Sequence, residues 1–188
     1  MARVKLNPII DQLRGKVGDL VFREVSGNTV LSRTPDLSGV EPTPGQEAQR
    51  ARFRDAAFYG RVVLADPPAR AFYEGVAEGR GKPLFSVIVG DYLNTPEVGA
   101  VDTAGYAGAV GDPVLVQASD DVEVTEVVVT IADDSGTELE SGPAVVDGGR
   151  WRYEAQTAVA SGTEVTITAR ALDRPGNAGE LAATVTTP

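Results

Sequence analysis

Cysteine and histidine are both missing from this chain of 188 residues. Their absence excludes disulfides, thiolate nucleophiles, zinc sites of the usual Cys/His kind and every mechanism built on an imidazole base. Lysine is nearly missing as well. Lys5, Lys16 and Lys82 all lie in the first half, so residues 97–188 have no Lys for a Ser–Lys pair. There is no Gly-x-Ser-x-Gly elbow and no run of 18 apolar residues. The start, Met1-Ala2-Arg3-Val4-Lys5 with Asn7, Pro8, Asp11 and Arg14 behind it, lacks the apolar stretch of a secretory signal. The expectation is a chain made in the cytoplasm without a signal peptide.

Carboxylates, Arg, Ser, Thr and Tyr are what remains for chemistry. Asp120 and Asp121 are adjacent, and successive strand residues point to opposite faces, so they do not form an acid/base pair across a substrate. These absences together predict that the protein is not an enzyme.

Charge divides the chain. Residues 1–96 carry a balance of +2 and residues 97–188 a balance of −12, within a total of −10. The cations of the second part are Arg150, Arg152, Arg170 and Arg174. So abrupt a shift predicts two modules, 1–96 and 97–188. The acidic one repels nucleic acid and anionic membrane, and neither is expected as a partner.

In the first module, Val17–Arg23 and Asn28–Arg33 favour strands, with Ser26-Gly27-Asn28 as the turn of a hairpin. Thr43-Pro44-Gly45-Gln46 has the form of a capping box opening a helix, with Phe53, Ala56, Ala57, Gly60, Val63 and Leu64 on one stripe. Arg50, Arg54 and Arg61 fall within about 40° of one another on its flank at roughly 100° per residue. They are either an anion-binding stripe or a solvated face shared with Glu47 and Asp55. Asp66-Pro67-Pro68 starts a second helix, and Gly79-Arg80-Gly81-Lys82 ends it. That segment lacks the spacing of a phosphate loop, and Pro83 stands where a Ser or Thr would bind Mg²⁺. Leu84–Leu93 has both helical spacing and a β-branched Val-Ile-Val run, and with Pro83 ahead of it a helix is expected. The order Gly15-Lys16-Val17-Gly18, then Pro42-Thr43-Pro44-Gly45-Gln46, then Arg50-Ala51-Arg52-Phe53 resembles small bacterial and phage-associated proteins over roughly residues 15–93. No activity comes with that resemblance.

From residue 97 the period becomes two. Val98–Asp102, Pro113–Ser119, Glu123–Ile131, Thr137–Glu140, Trp151–Ala155, Glu164–Leu172 and Leu181–Thr186 are seven predicted strands separated by Asp/Gly/Pro turns. The fold class expected is therefore α+β, a hairpin with two or three helices, followed by an all-β sandwich. Gly111-Asp112 through Asp120-Asp121, Trp151-Arg152-Tyr153 and Ala171-Leu172-Asp173-Arg174-Pro175-Gly176-Asn177 resemble bacterial Ig-like domains. Such a resemblance implies presentation, spacing or adhesion. Sandwich topology gathers Asp120, Asp121, Asp147, Asp173 and Asn177 at one end. Two readings stand for them: oxygen ligands of calcium, the only cofactor in view, or residues that simply make turns.

The function expected is a structural subunit that self-assembles through residues 1–96 into a filament, tube or phage-like particle and displays the Ig-like module. Val17, Leu20, Phe22, Val30, Leu31 and the Arg50/Arg54/Arg61 face are the expected contacts between copies. The alternative is a monomeric extracellular adhesin, or a module binding a surface glycan or protein.

Overall fold

Two tight turns build the first sheet. The computed structural model describes residues 2–3, 14–25, 27–36, 39 and 41–188. Strands β1 (Ala2–Arg3), β2 (Gly15–Val17), β3 (Leu20–Val25) and β4 (Asn28–Arg33) pair in the antiparallel order β1-β4-β3-β2. Val17 pairs with Leu20, and Val25 with Asn28, leaving two-residue links. Gly18 and Gly27 supply the positive φ such links need, 60° and 74°. The expected single strand Val17–Arg23 is thus corrected: Gly18-Asp19 breaks it, and the hairpin gains a third strand. Ser26 and residues 4–13 lie outside the described residues.

The chain divides into two compact units, residues 1–44 and 45–188, and the change of periodicity near residue 97 lies inside the second. None of residues 14–25, 27–36, 39 and 41–44 is buried, and Val17 and Val25 are 66% and 52% exposed.

The second unit opens with α1 (Pro44–Ala65), α2 (Pro67–Arg80) and α3 (Leu84–Leu93). Prolines set their starts, because a fixed φ and a missing N–H cost nothing in a first turn. Pro44 begins α1, and Pro67 follows Asp66 at the cap of α2. The Asp66 side chain makes no capping bond; its carbonyl accepts the Arg70 N–H at 2.9 Å. Gly81, at φ 61°, ends α2, with the N–H groups of Gly81 and Lys82 donating to the Glu78 and Ala77 carbonyls at 3.1 Å. Gly79–Lys82 is a helix end, as the sequence predicts. Val63, Tyr73, Ala77, Val87 and Ile88 form a small core between the helices. Phe53 stays 52% exposed, while Ala56, Gly60 and Val63 of its stripe are buried.

Eight strands follow: β5 (Glu97–Asp102), β6 (Pro113–Ser119), β7 (Val124–Asp133), β8 (Glu138–Pro143), β9 (Val145–Asp147), β10 (Arg150–Glu154), β11 (Glu164–Asp173) and β12 (Ala178–Thr186). They form two antiparallel sheets, β5-β6-β10-β9 and β12-β11-β7-β8, the strand order of an immunoglobulin-like sandwich. The short edge strand β9 was not among the seven expected. Val165, Ile167, Ala169 and Ala171 alternate with wetter residues along β11 and meet Val127, Val129 and Ile131 of β7 in a dry core.

Candidate metal centre at the helix–sandwich junction

Three segments of the second unit converge where α3 meets the sandwich. Val87, Ile88 and Asp91 lie at i, i+1 and i+4 on one helical face, and the face that buries the first two buries Asp91 completely. The Tyr73 hydroxyl donates to Asp91 Oδ2, and the Tyr59 and Tyr73 hydroxyls are 3.1 Å apart. From the β6–β7 loop comes Asp120, whose Oδ2 accepts the Val122 and Glu123 N–H groups at 2.9 and 3.1 Å. This Asx turn fixes the side chain. The next residue, Asp121, accepts the Asn94 amide on Oδ2 at 3.1 Å, and its carbonyl accepts the Arg80 guanidinium.

The β11–β12 loop clamps the same junction. Asp173 Oδ1 accepts the Gly176 and Asn177 N–H groups at 2.8 and 2.6 Å, and Oδ2 accepts the Asn177 amide at 2.7 Å. That amide also donates to the Asn94 carbonyl at 2.9 Å, at the end of α3. Arg174 pairs with Glu123 at 2.9 Å and lies over the Phe72 ring of α2. Each of the four arginines of residues 97–188 has a carboxylate partner: Asp102 for Arg150, Glu154 for Arg152, Glu180 for Arg170 and Glu123 for Arg174.

Asp91, Asp120 and Asp121 each bring a carboxylate oxygen within 4.8 Å of the others. Burial pushes the Asp91 carboxyl up to about 7, against the Tyr73 hydrogen bond, with the Asp120, Asp121 and Asp173 charges adding to the rise. Burial also raises Asp173, opposed by the donors of Asn177 and Gly176. Such a centre holds either a proton or an oxygen-seeking cation.

Of the residues the sequence singled out for calcium, Asp120, Asp121, Asp173 and Asn177 do meet here. Asp147 does not join the three carboxylates; it sits exposed in the β9–β10 hairpin opposite Arg150. Asp91 was missed, though one charged residue in the apolar stretch LFSVIVGDYL, spaced to share the face of Val87 and Ile88, was a readable signal. Of the expected contacts between copies, Val17 and Leu20 are exposed, and Phe22, Val30 and Leu31 are half-buried in the first sheet, where Phe22 pairs with Leu31. Arg50, Arg54 and Arg61 are exposed on α1.

Fold and site define an immunoglobulin-like sandwich seated on a three-helix base through a carboxylate-rich junction. No family model matches the chain, and no curated protein matches it. Neither comparison supports the resemblance noted for residues 15–93. Among solved structures, CopC from Methylosinus trichosporium OB3b is similar at 17% identity and a TM-score of 0.36, covering 48% of this chain and 91% of that one. The Br derivative of BhCBM56 is similar at 17% identity and a TM-score of 0.32, covering 47% and 99%. An engineered protein is similar at 23% identity and a TM-score of 0.35, covering 49% of this chain and 20% of that one. No described helix is long and apolar enough to cross a membrane.

Proposed function

We propose that the chain is a non-enzymatic protein-binding module, with the sandwich as rigid scaffold and the helical base as docking face. The observation that carries this reading is the exposed aromatic surface of α1 and α3. Phe53, Arg50, Arg54 and Gln49 line an open hollow of about 470 Å³. Phe53, Phe85, Pro83, Ser86 and Val89 line another of about 360 Å³. Aromatic residues and arginine are the residue types that dominate binding energy at protein interfaces. The arginines select a partner with an acidic, apolar surface.

A second reading, self-assembly, is supported by the first sheet. Four strands need a covered apolar face to be stable, and none of residues 14–25 and 27–36 is buried. A second copy, whose residues 97–188 carry a balance of −12, also suits the arginine-rimmed face.

Sedimentation of the fluorescently labelled full chain, in buffer and in an extract of its source, tests both. A species heavier than 19.6 kDa that F53S/F85S fails to form supports the docking face. Its appearance in buffer alone makes the partner a second copy. A monomer in both media, for wild type and variant alike, overturns the proposal.

A further inference from the structure

The geometry points to a calcium site built by Asp91, Asp120 and Asp121, which ties α3 to the β6–β7 loop of the sandwich. It stands independently of the docking face. Among the described residues, Asp91 Oδ1 and Asp120 Oδ1 are buried oxygens with no hydrogen-bond partner. Each belongs to a carboxylate whose other oxygen is already held, Asp91 Oδ2 by Tyr73 and Asp120 Oδ2 by two backbone N–H groups. An outer partner on one oxygen and an unmatched second oxygen is how a carboxylate is prepared for a metal. Burying such an oxygen unmatched is otherwise costly.

Distance and charge agree with this. Three oxygens within 4.8 Å of one another share a point at most about 2.8 Å from each, close to the roughly 2.3–2.6 Å of a Ca²⁺–oxygen bond, so a shift of a few tenths of an ångström lets one ion reach all three carboxylates. Among the described residues no Lys or Arg forms an ion pair with Asp91, Asp120 or Asp121, and the nearby Arg80 donates from one guanidinium nitrogen to the Asp121 carbonyl. Asp173 is a positioning residue here, not a ligand, because both of its oxygens are taken by Gly176 and Asn177. The donors are all hard oxygens, two of them on a loop, and exposed Asp121 leaves room for water. That set suits Ca²⁺, with its six to eight oxygens and tolerant geometry, better than Mg²⁺, which demands a near-ideal octahedron.

The test is calorimetric titration of CaCl₂ into the EDTA-treated full chain at neutral pH and ordinary salt, with thermal unfolding of the same samples. The expected result is one saturable Ca²⁺ per chain and a Tm raised by about 5 °C at about a hundredfold excess over Kd. D121N, at an exposed position that leaves folding intact, weakens binding about tenfold or more, and D147N leaves it unchanged. Absence of binding and of any Tm shift at millimolar CaCl₂ overturns the site, as does a D121N titration identical to wild type. MgCl₂ binding as tightly as CaCl₂ overturns the assignment to calcium.

Discussion

The guanidinium of Arg174 lies 3.7 Å above the centre of the Phe72 ring. One residue of the β11–β12 loop thereby reaches an aromatic of α2 while pairing with Glu123 at 2.9 Å. A cation over a ring contributes about 0.5–1 kcal/mol at a partly exposed site. A double-mutant cycle of R174A and F72L, read by urea denaturation, is expected to return a coupling of about that size. A coupling of zero would show that the stacking adds nothing to stability.

Tyr73 and Tyr59 differ in what their hydroxyls hold. Removing the Tyr73 hydroxyl leaves Asp91 Oδ2 buried without its donor. Y73F is expected to cost about 1.5–3 kcal/mol, and Y59F, at a half-buried site, less. Equal losses in the two urea midpoints would contradict this ranking.

Asn177 works as a donor to Asp173 and to the Asn94 carbonyl. N177D replaces that donor with a carboxylate facing acceptors, and a loss of about 2–4 kcal/mol is expected. N177D unfolding at the wild-type denaturant concentration would remove Asn177 from the junction.

Asp133, in the β7–β8 turn, accepts from the Ser135 hydroxyl and from the Ser135 and Thr137 N–H groups, and these donors hold its pKa below the usual carboxylate value. A folded pKa below the unfolded one stabilises the fold above the unfolded value and loses that effect as pH falls through the folded one. The gap in stability between wild type and D133N is therefore expected to close as pH drops below about 4. A gap independent of pH would sink the argument.

Two glycines are crowded in different ways. A Cβ at Gly179 would stand 1.9 Å from the Pro96 carbonyl oxygen, which is backbone and cannot step aside. One at Gly60 would meet the Phe85 ring at 2.7 Å, and that ring is 40% exposed and free to swing. G179A is expected to cost about 3 kcal/mol or more and G60A about 1 kcal/mol. Thermal unfolding of the two variants checks the order.

Periodicity and turn chemistry make most of the fold legible in the sequence. Pro44, Pro67 and Pro83 marked the helix starts, and the alternation along Glu164–Leu172 marked a central strand. What escaped was masked by neighbours. Gly18-Asp19 hid between Val17 and Leu20, where an apolar run reads as one strand. β9 has only three residues and borrows its order from β10. At the junction, the loop aspartates could be read from sandwich topology, but Asp91 belongs to an apolar helix. Its partner Tyr73 comes from another helix, a contact that no local pattern encodes.

The path of the chain through the sandwich has a mechanical consequence. It enters at Glu97, paired with Ser119 beside the acidic junction, and leaves β12 at Thr186, opposite Glu164 at the far end. There the Thr187 hydroxyl donates to the Ala160 carbonyl at 2.6 Å and accepts the Thr163 N–H at 3.0 Å. β5 and β12 both run away from the helices, so tension applied between these two points acts along the strands. Yielding then requires whole ladders to slide at once, because the load runs perpendicular to the ladder hydrogen bonds.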